Sequence, residues 1–201
     1  MIDLIWDKAN EWTARLGPLD ARIKVFEEIR DIPYYLVPSI DDPYEWAASI
    51  LAENKGSCSP KHYLLGLLFE KMGLPVKYVT YPYRWDRQPL PYPPELRALA
   101  EGTPIVYHVA CKANIEGKWV LIDATWDSPL QKAGFPVNEA WDGIHDTQNA
   151  YTPLEEIPHE SLAQRLEFVT QKKNLYTEKE KVTYAQFTLT FNSWLQRARQ
   201  Q

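Results

Sequence analysis

The stretch from Gly56 to Gly73 constrains this chain more than any other. After Gly56-Ser57, the segment Cys58-Ser59-Pro60 opens a run with Tyr63, Leu64, Leu67, Leu68 and Met72, and Gly73 closes it. Pro60 suits only the first turn of a helix, because its ring carries no N–H and would clash further in. A helix is therefore expected to start at Cys58 or Ser59. Its apolar residues lie almost all round, and a helix of that kind is buried by the rest of its protein. The remaining elements should pack around it.

The pattern on either side gives the fold class. Residues 75–81 alternate like a strand, and so do 105–114 and 118–124, the last two joined by a hairpin at Ile115-Glu116-Gly117. Between the first and second strands, residues 82–104 hold six prolines. They read as a long loop with a short helix near Glu95 to Ala100. Upstream, 1–16 and 19–31 have helical periodicity and are separated by Gly17-Pro18. Asp42-Pro43 then looks like a helix cap followed by Pro at the first helical position, with that helix running to about Asn54. Downstream, 125–155 is irregular, helical patterning returns near 157–172, and Thr177 to Glu180 forms a capping box for a last helix to Arg199. Helices, a hairpin sheet and further helices make an α+β protein, expected as one domain over 1–201.

Composition narrows the function. Lys and Arg number 22 against 27 Asp and Glu, a net charge of −5, and no basic stripe is visible. That argues against a nucleic-acid partner, whose phosphates call for clustered cations. No run approaches the roughly 18 apolar residues of a membrane span, and the first residues lack the basic-then-apolar order of a signal peptide. A cytoplasmic protein without membrane contact is expected. With two cysteines and four scattered histidines there is no metal-ligand spacing, so neither a metal nor another cofactor is expected.

Three residues stand out together. Cys58 lies where a Gly-Ser turn meets a helix start, and the N–H groups there favour a thiolate. His108 sits mid-strand. Asp123, in the apolar run Val120 to Ala124, needs a partner if buried. Folding the hairpin about Glu116-Gly117 brings positions 108 and 123 opposite or nearly opposite, within reach of one another. An Asp that fixes a His, and a His that activates a Cys, make a nucleophile.

The chain here resembles the transglutaminase-like superfamily, which shares the papain-like fold. The matching stretches are Ala48 to Leu51 with Gly56-Ser57-Cys58, then Leu64 to Leu68, Gly73 to Val79, Tyr107 to Lys112 and Gly117 to Trp126. They span 46–127, with helical flanks at 1–45 and 128–201. The resemblance implies a catalytic triad of Cys58, His108 and Asp123, and acyl transfer from a peptide or protein amide through a thioester. Hydrolysis is favoured over cross-linking because no calcium loop is evident. Ala110 stands where many members have Trp, and Ala124 where Pro commonly follows the aspartate.

Other residues are weighed against plainer roles. Trp46, Asn54, Tyr34 and Tyr35 are candidates for a second oxyanion donor beside the Cys58 N–H. Trp46 is also a candidate substrate contact, together with Tyr83, Trp85 and Tyr92 from the 81–104 loop, which is expected to wall a cleft. His62, one turn after Cys58, reads as a packed or solvated helix residue near the site. His145 and His159 fall in polar segments, and Cys111 reads as packing, without a disulfide to Cys58. Two competing readings are an inactive relative that binds peptides and an interaction protein that docks partners through the 81–104 loop. An intact triad weighs against the first.

Overall fold

The computed structural model describes residues 2–200; Met1 and Gln201, which the sequence reading includes, lie outside the described residues. Helices α1 (Ile2–Thr13), α2 (Pro18–Arg30) and α3 (Pro43–Glu53) precede the central helix α4 (Cys58–Lys71). Strand β1 (Val76–Tyr83), helix α5 (Pro94–Glu101) and the hairpin β2 (Val106–Ile115) and β3 (Lys118–Ile122) follow. Strand β4 (Ile157–His159) and helices α6 (Leu162–Lys173) and α7 (Glu178–Ala198) complete the chain. The sheet is antiparallel in the order β3-β2-β1-β4. Among the described residues no helix is long and apolar enough to cross a membrane.

Helix α4 is the centre that its composition demands. Every residue from Cys58 to Phe69 is buried. One side of the sheet (Tyr78, Val109, Cys111 and Ala113) joins α4 in the main core, and α2 and α3 close the other side with Val25, Phe26, Ile29 and Ile50. Gly66 is required at the crossing, since a Cβ there would collide with the Tyr78 hydroxyl. The local signals upstream also appear as written: Asp42 caps α3 through the Tyr44 and Glu45 amides with Pro43 at its first position, and Thr177 and Glu180 form the capping box of α7.

Several expectations need correction. The hairpin pairs Cys111 with Ile122 and Ile115 with Lys118, so position 108 is not opposite 123, which lies one residue past the end of β3. The turn is the two residues Glu116 and Gly117, both left-handed (φ 52 and 85°), a tighter connection than a three-residue one. The displacement is two residues, so the parity of the strand, and with it the face on which His and Asp lie, is kept. The helical pattern at 157–172 begins only at Leu162; Ile157–His159 instead pairs with β1 and covers the sheet edge.

The 81–104 loop is also placed differently. Trp85 and Tyr92 are buried in a second cluster with Phe187, Phe191 and Trp194 of α7. Their rings gain more by leaving water against other aromatics than by lining an open cleft. The loop is thus the packing partner of α7, and Tyr83 alone of its three aromatics reaches the hollow over Cys58.

Candidate active site

The first turn of α4, the start of β2 and the residue just past β3 converge at one point. Cys58 is the first residue of its helix, where backbone N–H groups lack intrahelical partners. Ser57, the residue before it, does not cap the helix through its side chain, which leaves that end open toward the hollow. Cys58 is 9% exposed, and both cysteines are free.

His108 and Asp123 are fully enclosed. Their Nε2–Oδ2 distance is 2.8 Å. Two backbone amides serve the carboxylate, Ala150 N–H donating to Oδ2 at 2.8 Å and Thr125 N–H to Oδ1 at 3.0 Å, while the Asp123 amide itself donates to Thr147 Oγ1. Burial pushes the Asp123 carboxyl up, but the His108 charge and hydrogen bond, then the His62 charge and the Thr125 hydrogen bond, outweigh it and hold the group well below the usual carboxylate range. For His108, burial works against the charged ring, yet Asp123 and then Cys58 raise its pKa to about 9. Tyr81 and Tyr151 flank the imidazole, with centroids 6.1 and 4.8 Å away.

The second ring nitrogen of His108 has no partner at full hydrogen-bond geometry, while the ring and the Cys58 thiol act on each other's charge. Burial pushes the thiol up, and contact with His108, its charge, the Val109 N–H and Arg165 together bring it below its ordinary value.

Further buried side chains behind these three hold the geometry. His62 Nδ1–H donates to the Cys58 carbonyl at 2.8 Å, and its Nε2 accepts from the Ala124 N–H at 3.0 Å, which fixes the neutral tautomer. Burial lowers its pKa to about 4, although Nε2 lies 3.6 Å from Asp123. The Lys61 ammonium reaches the carbonyls of Arg30, Ile32 and Thr125, and burial draws its pKa down to about 7 against the pull of Asp127, Asp31 and Asp123. Arg165 of α6 is buried and donates to the Tyr63 hydroxyl, to Ser59 Oγ at 3.4 Å and to the Tyr107 carbonyl at 3.2 Å. Ser59 follows Cys58 and Tyr107 precedes His108, so one guanidinium ties the two flanks together. At the end of α7, Arg199 makes a two-pronged contact with Asp127 and also binds the Tyr34 carbonyl.

Above Cys58 opens a hollow of about 470 Å³. Of the sequence candidates, Trp46, Tyr83 and Tyr34 line it. Trp46 Nε1 is buried without a partner. Asn54 sits instead at the left-handed end of α3, beside a hollow under α1 and α2, and Tyr35 faces a neighbouring groove. His145 is exposed and paired with Asp142; His159 bonds Thr80 in the sheet. Cys111 packs in the core, its thiol donating to the His62 carbonyl. The Ala150 amide, Arg165 and the α7 wall of the hollow were not legible beforehand. A backbone donor has no residue-type signature, and Arg165 is one arginine in an ordinary amphipathic helix.

No family model and no curated protein matches the chain. Among solved structures, the chain is similar to a "Putative Cysteine Protease from Cytophaga hutchinsonii" at 19% identity and a TM-score of 0.43. The match covers 65% of this chain and 39% of that one, so it spans about two fifths of the other protein's length.

Proposed function

We propose that the chain is a cysteine-dependent acyl-transfer enzyme acting on an amide or peptide bond, with hydrolysis as the net reaction. The observation that carries this reading is a helix-start thiol of lowered pKa at the hollow, coupled beneath the surface to an imidazole of raised pKa that is held 2.8 Å from a buried carboxylate. A charged thiolate–imidazolium pair is what a cysteine nucleophile needs near neutral pH.

In this reading the Cys58 sulfur attacks the amide carbon, and a C–S bond forms as the carbonyl π-pair moves to oxygen. His108 gives its proton to the departing nitrogen as the C–N bond breaks and the thioester closes. Water then attacks the thioester and loses a proton to His108; the C–S bond breaks and the acid leaves. Asp123 keeps His108 in one orientation and stabilises its charged form. The Cys58 N–H and the partnerless Trp46 indole N–H are the assigned donors for the oxyanion.

The test combines a peptide-amide library with intact-mass detection of the acyl-enzyme. Turnover by wild type, its loss in Cys58→Ala, and a mass increase on Cys58 with a slow substrate are expected. Trp46→Phe should lower kcat by about 10- to 1,000-fold. Undiminished turnover in Cys58→Ala overturns the proposal.

A further inference from the structure

We propose that the hollow over Cys58 selects an anionic, apolar acyl group: an amide whose acyl part carries a bulky apolar side chain next to a carboxylate, the carboxylate meeting Lys173. The inference rests on the Cys58 reading of function and adds a substrate class to it.

The walls set the apolar part. Leu36, Val37 and Pro38 form one side, and Tyr184, Ala185 and Leu189 of α7 form the other. Leu189 is 72% exposed. Apolar surface left in water at the mouth of a hollow is a feature that a ligand's own apolar group stabilises on binding.

The charge sets the rest. Although the chain carries an excess of acids, no Asp or Glu lines this hollow among the described residues, and Lys173 is the one cation that does. Some surface lysines elsewhere are paired, Lys77 with Glu160, Lys112 with Glu156 and Lys181 with Glu178, while among the described residues others such as Lys118, Lys132 and Lys179 are not but do not line this hollow. Lys173 forms no ion pair among the described residues. A lysine at the end of α6 favours the helix dipole wherever it points, and that role is open to Lys172 as well. Lys172, however, lies over the Phe168 ring, and Lys173 is the one directed to the hollow. Lys173 is exposed and lines the same hollow as Cys58; the protein around its ammonium and the Arg165 charge lower its pKa, and the Cys58 charge raises it.

Arg165 strengthens the same field from behind, since it too has no carboxylate partner among the described residues. Acids outside the wall include Asp123, which is bound to His108, Glu155, which acts on Tyr107, and Glu180, which acts on Tyr176 and is already held by the Thr177 amide and hydroxyl. A carboxylate entering between apolar walls thus finds one uncommitted cation. An amine entering there loses water and finds none.

Charged thiol reagents test this without turnover. Cys58 is labelled with three methanethiosulfonates: the neutral methyl, the anionic 2-sulfonatoethyl and the cationic 2-trimethylammonioethyl forms. Each rate is divided by that of a small neutral thiol. The normalised anion-to-cation ratio should be about tenfold above unity in wild type, fall toward unity in Lys173→Ala and invert in Lys173→Glu. It should stay at the wild-type value in Lys172→Ala. A second arm compares peptide amides with the same apolar residue beside Glu, Gln or Lys, for which the expected order of kcat/KM is Glu, then Gln, then Lys. A wild-type labelling ratio at or below unity, or one unchanged in Lys173→Ala, overturns the inference alone. Cys58 labelled by none of the three reagents overturns it together with the reading beneath it.

Discussion

The helix side and the strand side of Asp123 each present a buried histidine, and the two behave oppositely. His108 on β2 lies 2.8 Å from one carboxylate oxygen, and His62 on α4 lies 3.6 Å from the other. Both are fully enclosed. His62 has both nitrogens committed as a neutral ring, one donating to the Cys58 carbonyl and the other accepting from Ala124, so burial prevails and its pKa falls to about 4. His108 gives one nitrogen to the carboxylate and leaves the other toward the thiol, so its charge is stabilised and its pKa rises to about 9. Proximity to an acid does not by itself make a histidine a proton carrier. What decides is whether the neutral ring is already satisfied.

The largest expected effect breaks the strand side. Asp123→Asn should cut turnover by about 10⁴-fold, since the ring loses both its charge partner and its fixed tautomer. The measurement is kcat with the best amide found by screening. A loss under tenfold would show that Asp123 serves only the fold.

His108→Ala isolates the charge pairing. The pH profile of Cys58 alkylation, resolved by peptide mass, should have its inflection below that of a free cysteine in wild type and should move up toward the free value in the variant, slowing the reaction at neutral pH by about tenfold or more. Cys111 should react slowly in both proteins, because burial raises its pKa well above the usual thiol range. Superimposable wild-type and variant profiles would separate the two side chains functionally.

The helix side should answer in stability and not in charge. His62→Leu leaves the Ala124 N–H without a partner and takes from the Cys58 carbonyl its side-chain donor, at a cost of about 1–3 kcal/mol in denaturant unfolding. The alkylation inflection should stay within about half a pH unit of wild type. A shift as large as that of His108→Ala would mean that His62 shares the proton.

The pH dependence of unfolding sharpens the contrast with a smaller signal. His62 has a folded pKa below its free value, so its contribution is full above about 6.5 and is lost as pH falls toward about 4. His108 has a raised folded pKa. Its contribution is full below about 6.5 and is lost as pH rises through about 9. Wild type should therefore lose stability on both flanks. His62→Leu should flatten the acid flank, and His108→Ala the alkaline one.

Arg165→Met gives the smallest expected effect on the chemistry. Removing the tie between Ser59 and Tyr107 should raise the alkylation inflection by a fraction of a unit and lower kcat more than KM, whereas Arg165→Lys should restore part of the inflection by restoring the charge. No change in the inflection with lowered stability would reduce Arg165 to a packing role.

Much of this was written locally. The Pro60 rule placed the start of α4, the capping residues placed α3 and α7, and alternation placed three of the four strands. The pairing of Asp123 with His108 survived a misplaced hairpin register because an even displacement keeps both on one face. Strand β4 escaped because three residues are too few for a period to show. Trp85 and Tyr92 fill the core instead of a cleft, and the sequence does not distinguish the two because an aromatic ring in a loop has the same signature in either place.

The sequence by itself determined a buried central helix beginning at Cys58, a hairpin with His and Asp on a shared face, and the α+β class. These follow from periodicity and from which residues can begin or end an element. Only the tertiary structure decided which histidine carries charge, that Ala150 and Thr125 amides saturate Asp123, that Arg165 joins the flanks of Cys58 and His108, and that α7 walls the hollow beside Lys173. Each of these depends on groups far apart in the chain or on backbone donors that every residue possesses. Their energies are set by burial and by neighbours, which no local pattern encodes.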